Sequence, residues 1–198
     1  IADLMKYPDS WKKQFVYGLW DTAIMGDRNI YSHQYLDAFR QTVILPEKAK
    51  LFNDFRLYES KIQPNSSYQM GVDTSEGIGG DASSISVVNI STGEEAGFWM
   101  GQIPPDMLAF KAKEIVDYFN SFTKTRMFVV PEINSMGIAF LVQFKKLYPN
   151  IYKREVFIKK TKEKKEVLGW KTSVSTKPLL ITNHVDLIRH GKLTIHTP

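Results

Sequence analysis

Apolar positions along this chain change period several times, and the changes mark out elements. SYQMGVD places Tyr68, Met70 and Val72 on alternate positions, SISVVNI does the same with Ile85 and Val87, and AGFWMGQI is a third run of strand-forming residues. Period-two alternation of this kind predicts half-buried strands, and the short turns TSEGIGGDAS and STGEE between them predict an antiparallel meander. IPPD stops the meander. Leu108, Ala112, Ile115, Val116 and Phe119 then recur at helical spacing, predicting an amphipathic helix over about 105–122, opened by proline and Asp106. RMFVVPEI is almost wholly apolar and predicts a fourth strand buried on both faces. NSMGIAFLVQFKKLYP follows as a second helix, with Asn134 or Ser135 as its N-cap. REVFIKK reads as a fifth strand, TKEKKEVLGWKTS as a charged loop, STKPLLITNHVDLIRHG as a third helix closed by Gly191, and KLTIHTP as a last strand. The order β-β-β-α-β-α-β-α-β is that of an α/β fold. Its mixed central sheet has three antiparallel strands, then alternating helices and parallel strands.

Upstream the pattern is weaker. Residues 1–60 are rich in aromatics (Tyr7, Trp11, Phe15, Tyr17, Trp20, Tyr31, Tyr35, Phe39), with short helical patterns near 9–18 and 32–42. The polar string SKIQPNSS marks a turn into a new unit. The expected division is 1–64 as an N-terminal extension or linker and 65–198 as the main domain. The length, 198 residues, suits one domain plus an extension at about 150 residues per domain. The sequence begins with Ile1 rather than Met and has no apolar leader, so a piece of a longer polypeptide is expected.

Composition narrows the function classes. Apolar residues make up 43% of the chain, which supports a packed core. The absence of cysteine removes disulfides, thiolate metal sites and cysteine nucleophiles. No apolar run approaches the roughly 18–20 residues that cross a membrane as a helix. The formal charge is +5, compatible with a polyanionic partner. Much of the excess lies at 153–171, where Lys153, Arg154, Lys159, Lys160, Lys162, Lys164, Lys165 and Lys171 face only Glu155, Glu163 and Glu166. Such a run can be a solvated face, or it can contact backbone phosphates without reading sequence. Trp170 beside Lys171 can flank a nucleic-acid strand or belong to the core.

Two carboxylates stand at strand ends: Asp73 after the first strand and Glu132 after the fourth. In the ribonuclease-H-like βββαβ arrangement those strands are parallel neighbours, so the two acids can share one site. Paired carboxylates repel, and a hard cation such as Mg²⁺ or Mn²⁺ relieves that repulsion. Two ions about 3.5–4 Å apart can activate water and stabilise the leaving oxygen of a phosphodiester. The alternative is that each acid merely ends a strand in solvent. Asp81, after the glycines of EGIGGD, is a turn former and a candidate third oxygen ligand. No GxxxxGK[ST] occurs, so no ATP site is expected in this chain, and no GxSxG occurs either. His33, His184, His190 and His196 lack metal-ligand spacing and read as structural, His184 being the one nearest the proposed site.

GVDTSEGIGGDASSISVVNI, VVPEINSMGIAFL and GWKTSVSTKPLLITNHVDLIRHGKLTIH, in that order over about 66–198, resemble the nuclease domain of tailed-bacteriophage terminase large subunits. The resemblance implies an RNase H-like fold and metal-dependent, largely sequence-independent cutting of concatemeric viral DNA during genome packaging in the host cytoplasm. It makes Asp73 and Glu132 catalytic acids and metal ligands, with Asp81 an auxiliary metal ligand. It implies two Mg²⁺ or Mn²⁺ ions and double-stranded DNA as partner. Portal and small terminase subunit would be engaged through the full-length protein, in which an ATPase motor precedes the nuclease. It also places a third catalytic Asp beyond Pro198, so the 198 residues alone are expected to cut poorly. Asp186 aligns with a surface helical position. Two other readings remain: a resolvase or transposase of the same fold, and a non-catalytic module that grips DNA or packaging partners.

Overall fold

The computed structural model describes residues 31, 33–45, 48–59, 61–77, 80–133, 136–158 and 163–198. The chain forms two compact units, residues 1–36 and 37–198. The elements are α1 (His33–Thr42), β1 (Lys50–Phe52), β2 (Phe55–Leu57), β3 (Tyr68–Asp73), β4 (Ser83–Asn89), β5 (Glu94–Gly101), α2 (Pro105–Asn120), β6 (Phe128–Pro131), α3 (Gly137–Leu147), β7 (Lys153–Ile158), β8 (Glu163–Leu168) and α4 (Thr176–Arg189). The helical pattern near 9–18, Asn134 and Ser135, and Lys159, Lys160 and Lys162 lie outside the described residues.

Six strands form one sheet in the order β1-β2-β5-β4-β3-β6. β3, β4 and β5 make the expected antiparallel meander. β6 lies parallel to β3, with Met70 opposite Val129 and Val72 opposite Pro131. This is the RNase H-like arrangement, a mixed sheet in which the first and fourth strands of the pattern are neighbours.

Alternation decides which face is buried. Tyr68, Met70 and Val72 on β3, Ile85 and Val87 on β4 and Val129 on β6 all point to the core. Helix α2 meets them with Leu108, Ala109, Ala112, Ile115, Val116 and Phe119, a stripe at helical spacing. α3 adds Phe140 and Phe144, stacked with ring centroids 5.0 Å apart. The aromatic centre of the core is Phe119, tilted against Tyr68 at 5.0 Å and edge-on to Phe55 at 6.1 Å. Phe55 lies on β2, so a hairpin from the aromatic-rich upstream segment contributes to the same core.

Three sequence expectations change. The lysine-rich segment 163–168 is not a loop but strand β8, paired antiparallel with β7. Glu155 and Glu166 sit directly opposite each other, and diagonal ion pairs offset that repulsion: Lys153 lies 3.1 Å from Glu166 and Lys164 2.9 Å from Glu155. REVFIKK joins this two-stranded sheet and not the central one. KLTIHTP forms no strand; Thr194 makes a single parallel bridge to Glu94. Its backbone is instead held by the buried Glu95 carboxylate, which accepts the N–H groups of His196 and Thr197, each at 2.8 Å. Finally, RMFVVPEI is buried on one face only. Phe128 and Val130 are half-buried, because the face opposite α2 and α3 is incompletely covered.

Candidate metal and nucleic-acid site

The incompletely covered face carries the two strand-end carboxylates. On β3 the residues alternating with Met70 and Val72 are Gly71 and Asp73, both exposed. On β6 the outward residues are Phe128 and Val130, and Glu132 follows in the same sense. The Glu132 N–H donates to the Val72 carbonyl at 2.9 Å, continuing the parallel register by one step. Two parallel strands in register bring same-face side chains together at their C-terminal ends, so the carboxylates of Asp73 and Glu132 converge within hydrogen-bonding reach.

That convergence shows in the electrostatics. Burial first, then the charge of Glu132 and hydrogen bonding to it, push the Asp73 carboxyl above the ordinary carboxylate range. The Thr74 backbone N–H works the other way, and Asp81 adds a smaller push in the same direction as Glu132. Asp81 is exposed, and described residues of the same loop make local hydrogen bonds. The Ser75 N–H donates to Ser83 Oγ at 2.9 Å, and Gln102 Nε2 donates to the Gly80 carbonyl at 2.6 Å. Gly77 has φ +75°, and a Cβ there would lie 2.3 Å from the Ile103 carbonyl oxygen. The glycine of EGIGGD thus lets the loop pass against the β5–α2 connection.

A hard divalent cation fits the chemistry of this pair: two oxygen ligands whose like charges it would neutralise, on a face open to the waters that Mg²⁺ retains. Among the described residues no group of three or more His, Asp or Glu side chains is gathered tightly enough to hold an ion. Asp81 therefore stands as an outer carboxylate, within electrostatic range of Asp73 and not packed into one cluster with the pair.

The site has a third side, which the sequence reading left divided between core and surface. Trp170 bridges in parallel to Glu132, and its N–H donates to the Pro131 carbonyl at 2.8 Å. Gly169 has φ +81° and would place a Cβ 2.3 Å from Ile133 Cγ1, so only glycine brings this segment so close to β6. Tyr152 is tied to Val129 and Gly169 through backbone hydrogen bonds of 2.8 and 2.7 Å. Beyond Tyr152 and Trp170 the β7–β8 hairpin projects. Lys164 is paired with Glu155, whereas Lys165 and Lys171 are exposed and have no carboxylate partner among the described residues. A cavity of about 610 Å³ opens between the carboxylates and this aromatic wall, lined by Asp73, Glu132, Phe128, Tyr152, Trp170 and Leu180 among others.

The histidines have other partners. The His190 ring lies 3.3 Å from Asp186 on the exposed side of α4, and the His196 ring contacts the Thr42 carbonyl at 2.7 Å. Burial holds the His184 imidazole below its ordinary range.

No protein-family model matches the chain, and no curated protein matches it in sequence. Solved structures do. The large terminase nuclease of the thermophilic phage G20c with bound magnesium superposes with a TM-score of 0.61 over 87% of this chain and 76% of that one, at 18% identity. The same nuclease with bound cobalt gives 0.61 over 87% and 76%, at 16% identity. The Thermus phage P74-26 large terminase nuclease domain gives 0.53 over 83% and 72%, at 15% identity. The fold is thus that of large terminase nuclease domains. Among the described residues no helix is long and apolar enough to cross a membrane.

Proposed function

We propose that this chain is a metal-dependent DNA endonuclease of a viral packaging machine, cutting concatemeric double-stranded DNA in the host cytoplasm with little regard to sequence. The observation that carries this reading is the convergence of Asp73 and Glu132 at neighbouring parallel strand ends, with the Asp73 carboxyl pushed upward by burial and then by its partner. Such a pair is costly without a cation and suited to one. The likeness to a nuclease with bound magnesium supports Mg²⁺ or Mn²⁺ as the ion.

We read the site as a two-ion centre with Asp73 and Glu132 as principal ligands and Asp81 as the auxiliary one. Held by Asp73, Glu132 and Asp81, such ions would supply Lewis-acid activation of water and of the phosphodiester. The chain's own residues do the remainder. The carboxylates position the ions and neutralise their charge. Lys164, Lys165 and Lys171, with Lys159, Lys160 and Lys162 of the same segment, hold backbone phosphates beside the site. That mode of binding sets affinity without base readout. Portal and small terminase subunit would be engaged through other parts of the packaging protein.

The test is conversion of two supercoiled plasmids of unrelated sequence, with Mg²⁺ or Mn²⁺ and with a chelator. Cutting of both that needs the metal and disappears in Asp73→Ala is expected. DNA binding with no metal-dependent cutting in the full-length protein would return the chain to a docking role.

A further inference from the structure

The cavity beside the carboxylates does not have the lining of a phosphate site. Its polar side chains are Gln69, Ser84, Ser86 and Thr172, with the two carboxylates at one end and no cation. Its walls are flat and apolar. Tyr152 and Trp170 are tilted against each other at 46° with centroids 6.2 Å apart, Phe128 stands edge-on to Tyr152 at 6.2 Å, and Leu180 of α4 also lines the cavity. The Trp170 indole N–H is buried and has no acceptor among the described residues. Gly71 lies in the middle of β3, where a side chain would otherwise fill the floor, and a Cβ built there meets nothing within 4 Å. Glycine inside a strand is unfavourable and commonly marks close approach of a ligand.

We infer that this cavity receives one unstacked nucleobase next to the phosphate that metal ions at Asp73 and Glu132 would hold, so that the preferred substrate is locally unpaired DNA. A base is uncharged, planar and edged with donors and acceptors, matching the aromatic walls and the amide of Gln69. The volume lies within the roughly 300–1,000 Å³ of ligand clefts. A base already unpaired enters without the unpairing cost that a duplex must meet, which is the source of the selectivity. Trp170 is a positioning residue, since its backbone is bridged to Glu132 itself.

The inference rests on the nuclease reading, and one experiment separates the two. The full-length protein binds a duplex with a central mismatched bubble carrying 2-aminopurine, and its fully paired counterpart, in Ca²⁺ to prevent cutting. The bubble should bind about tenfold more tightly, the range expected for one base stacked on an aromatic side chain, and its fluorescence should be quenched. Trp170→Ala should abolish both effects, while Trp170→Phe keeps most of the preference. Gly71→Leu, which fills the floor where space is free, should also abolish them and guards against misfolding of the tryptophan variant. Equal binding of both duplexes, or a preference that survives Trp170→Ala and Gly71→Leu, overturns the inference and leaves the nuclease reading standing. Failure to bind either duplex overturns both.

Discussion

Glu132 donates its backbone N–H to the carbonyl of Val72, so its side chain stands beside that of Asp73, one position further along β3. The juxtaposition is set by strand register, not by loops, and it costs the protein something. A carboxyl whose pKa is raised in the folded state stabilises the fold only while protonated. That contribution is complete below the unfolded carboxylate pKa and is lost as pH rises through the raised value. At neutral pH the pair therefore works against folding.

Replacing Asp73 should thus stabilise the protein while abolishing cutting. Asp73→Asn is expected to raise Tm at pH 7 by about one to three degrees, a modest shift because the group is only partly buried. The gain should shrink as pH falls toward the ordinary carboxylate range. Thermal scans from neutral to acid pH check both the sign and the window.

Glu132→Gln should lower the Asp73 pKa only part of the way, because burial, the larger cause, remains. A carbon-13 titration of the Asp73 carboxyl reads this directly. A full return to the ordinary value would mean that Glu132 alone sets it.

The lysines of the hairpin are not equivalent. Neutralising Lys165 and Lys171 together should reduce the slope of log K against log salt by about two, one per phosphate contact. Neutralising Lys164 should do less, since Glu155 already occupies it. The loss should be the same for unrelated DNA sequences.

Phe119→Ala should cost about 3–5 kcal/mol, the range for removing a fully buried aromatic. Phe119 is 0% exposed and touches Tyr68 of β3 and Phe55 of β2. Urea unfolding should remain a single transition, with the β1–β2 hairpin lost together with the meander.

Much of this was legible in the sequence because one face of each central element is buried. Met70, Val72, Ile85 and Val87 alternate cleanly, and Leu108 to Phe119 keep helical spacing, so the meander, α2 and the partnership of β3 with β6 follow from pattern. Asp73 and Glu132 were legible as a pair once that partnership was inferred. The β7–β8 hairpin was not. REVFIKK reads as a strand and is β7, but β8 is exposed at its first four positions, so no hydrophobic period marks it or its pairing with β7. Trp170 was ambiguous for a related reason. A tryptophan flanked by glycine and lysine has no periodic neighbours, and its bridge to Glu132 is a contact across 38 residues of chain. The half-open face of β6 was misread because an apolar run looks the same whether both faces are covered or one lines a cavity.

The most direct test of the metal site is Mn²⁺ titration followed by electron paramagnetic resonance, since free Mn²⁺ gives the signal and bound Mn²⁺ loses most of it. The wild-type protein should bind Mn²⁺ with competition by Mg²⁺. Asp73→Ala and Glu132→Ala should each weaken binding at least tenfold, and Asp81→Asn should weaken it less. Unchanged Mn²⁺ binding in both Asp73→Ala and Glu132→Ala would contradict a metal centre at these strand ends.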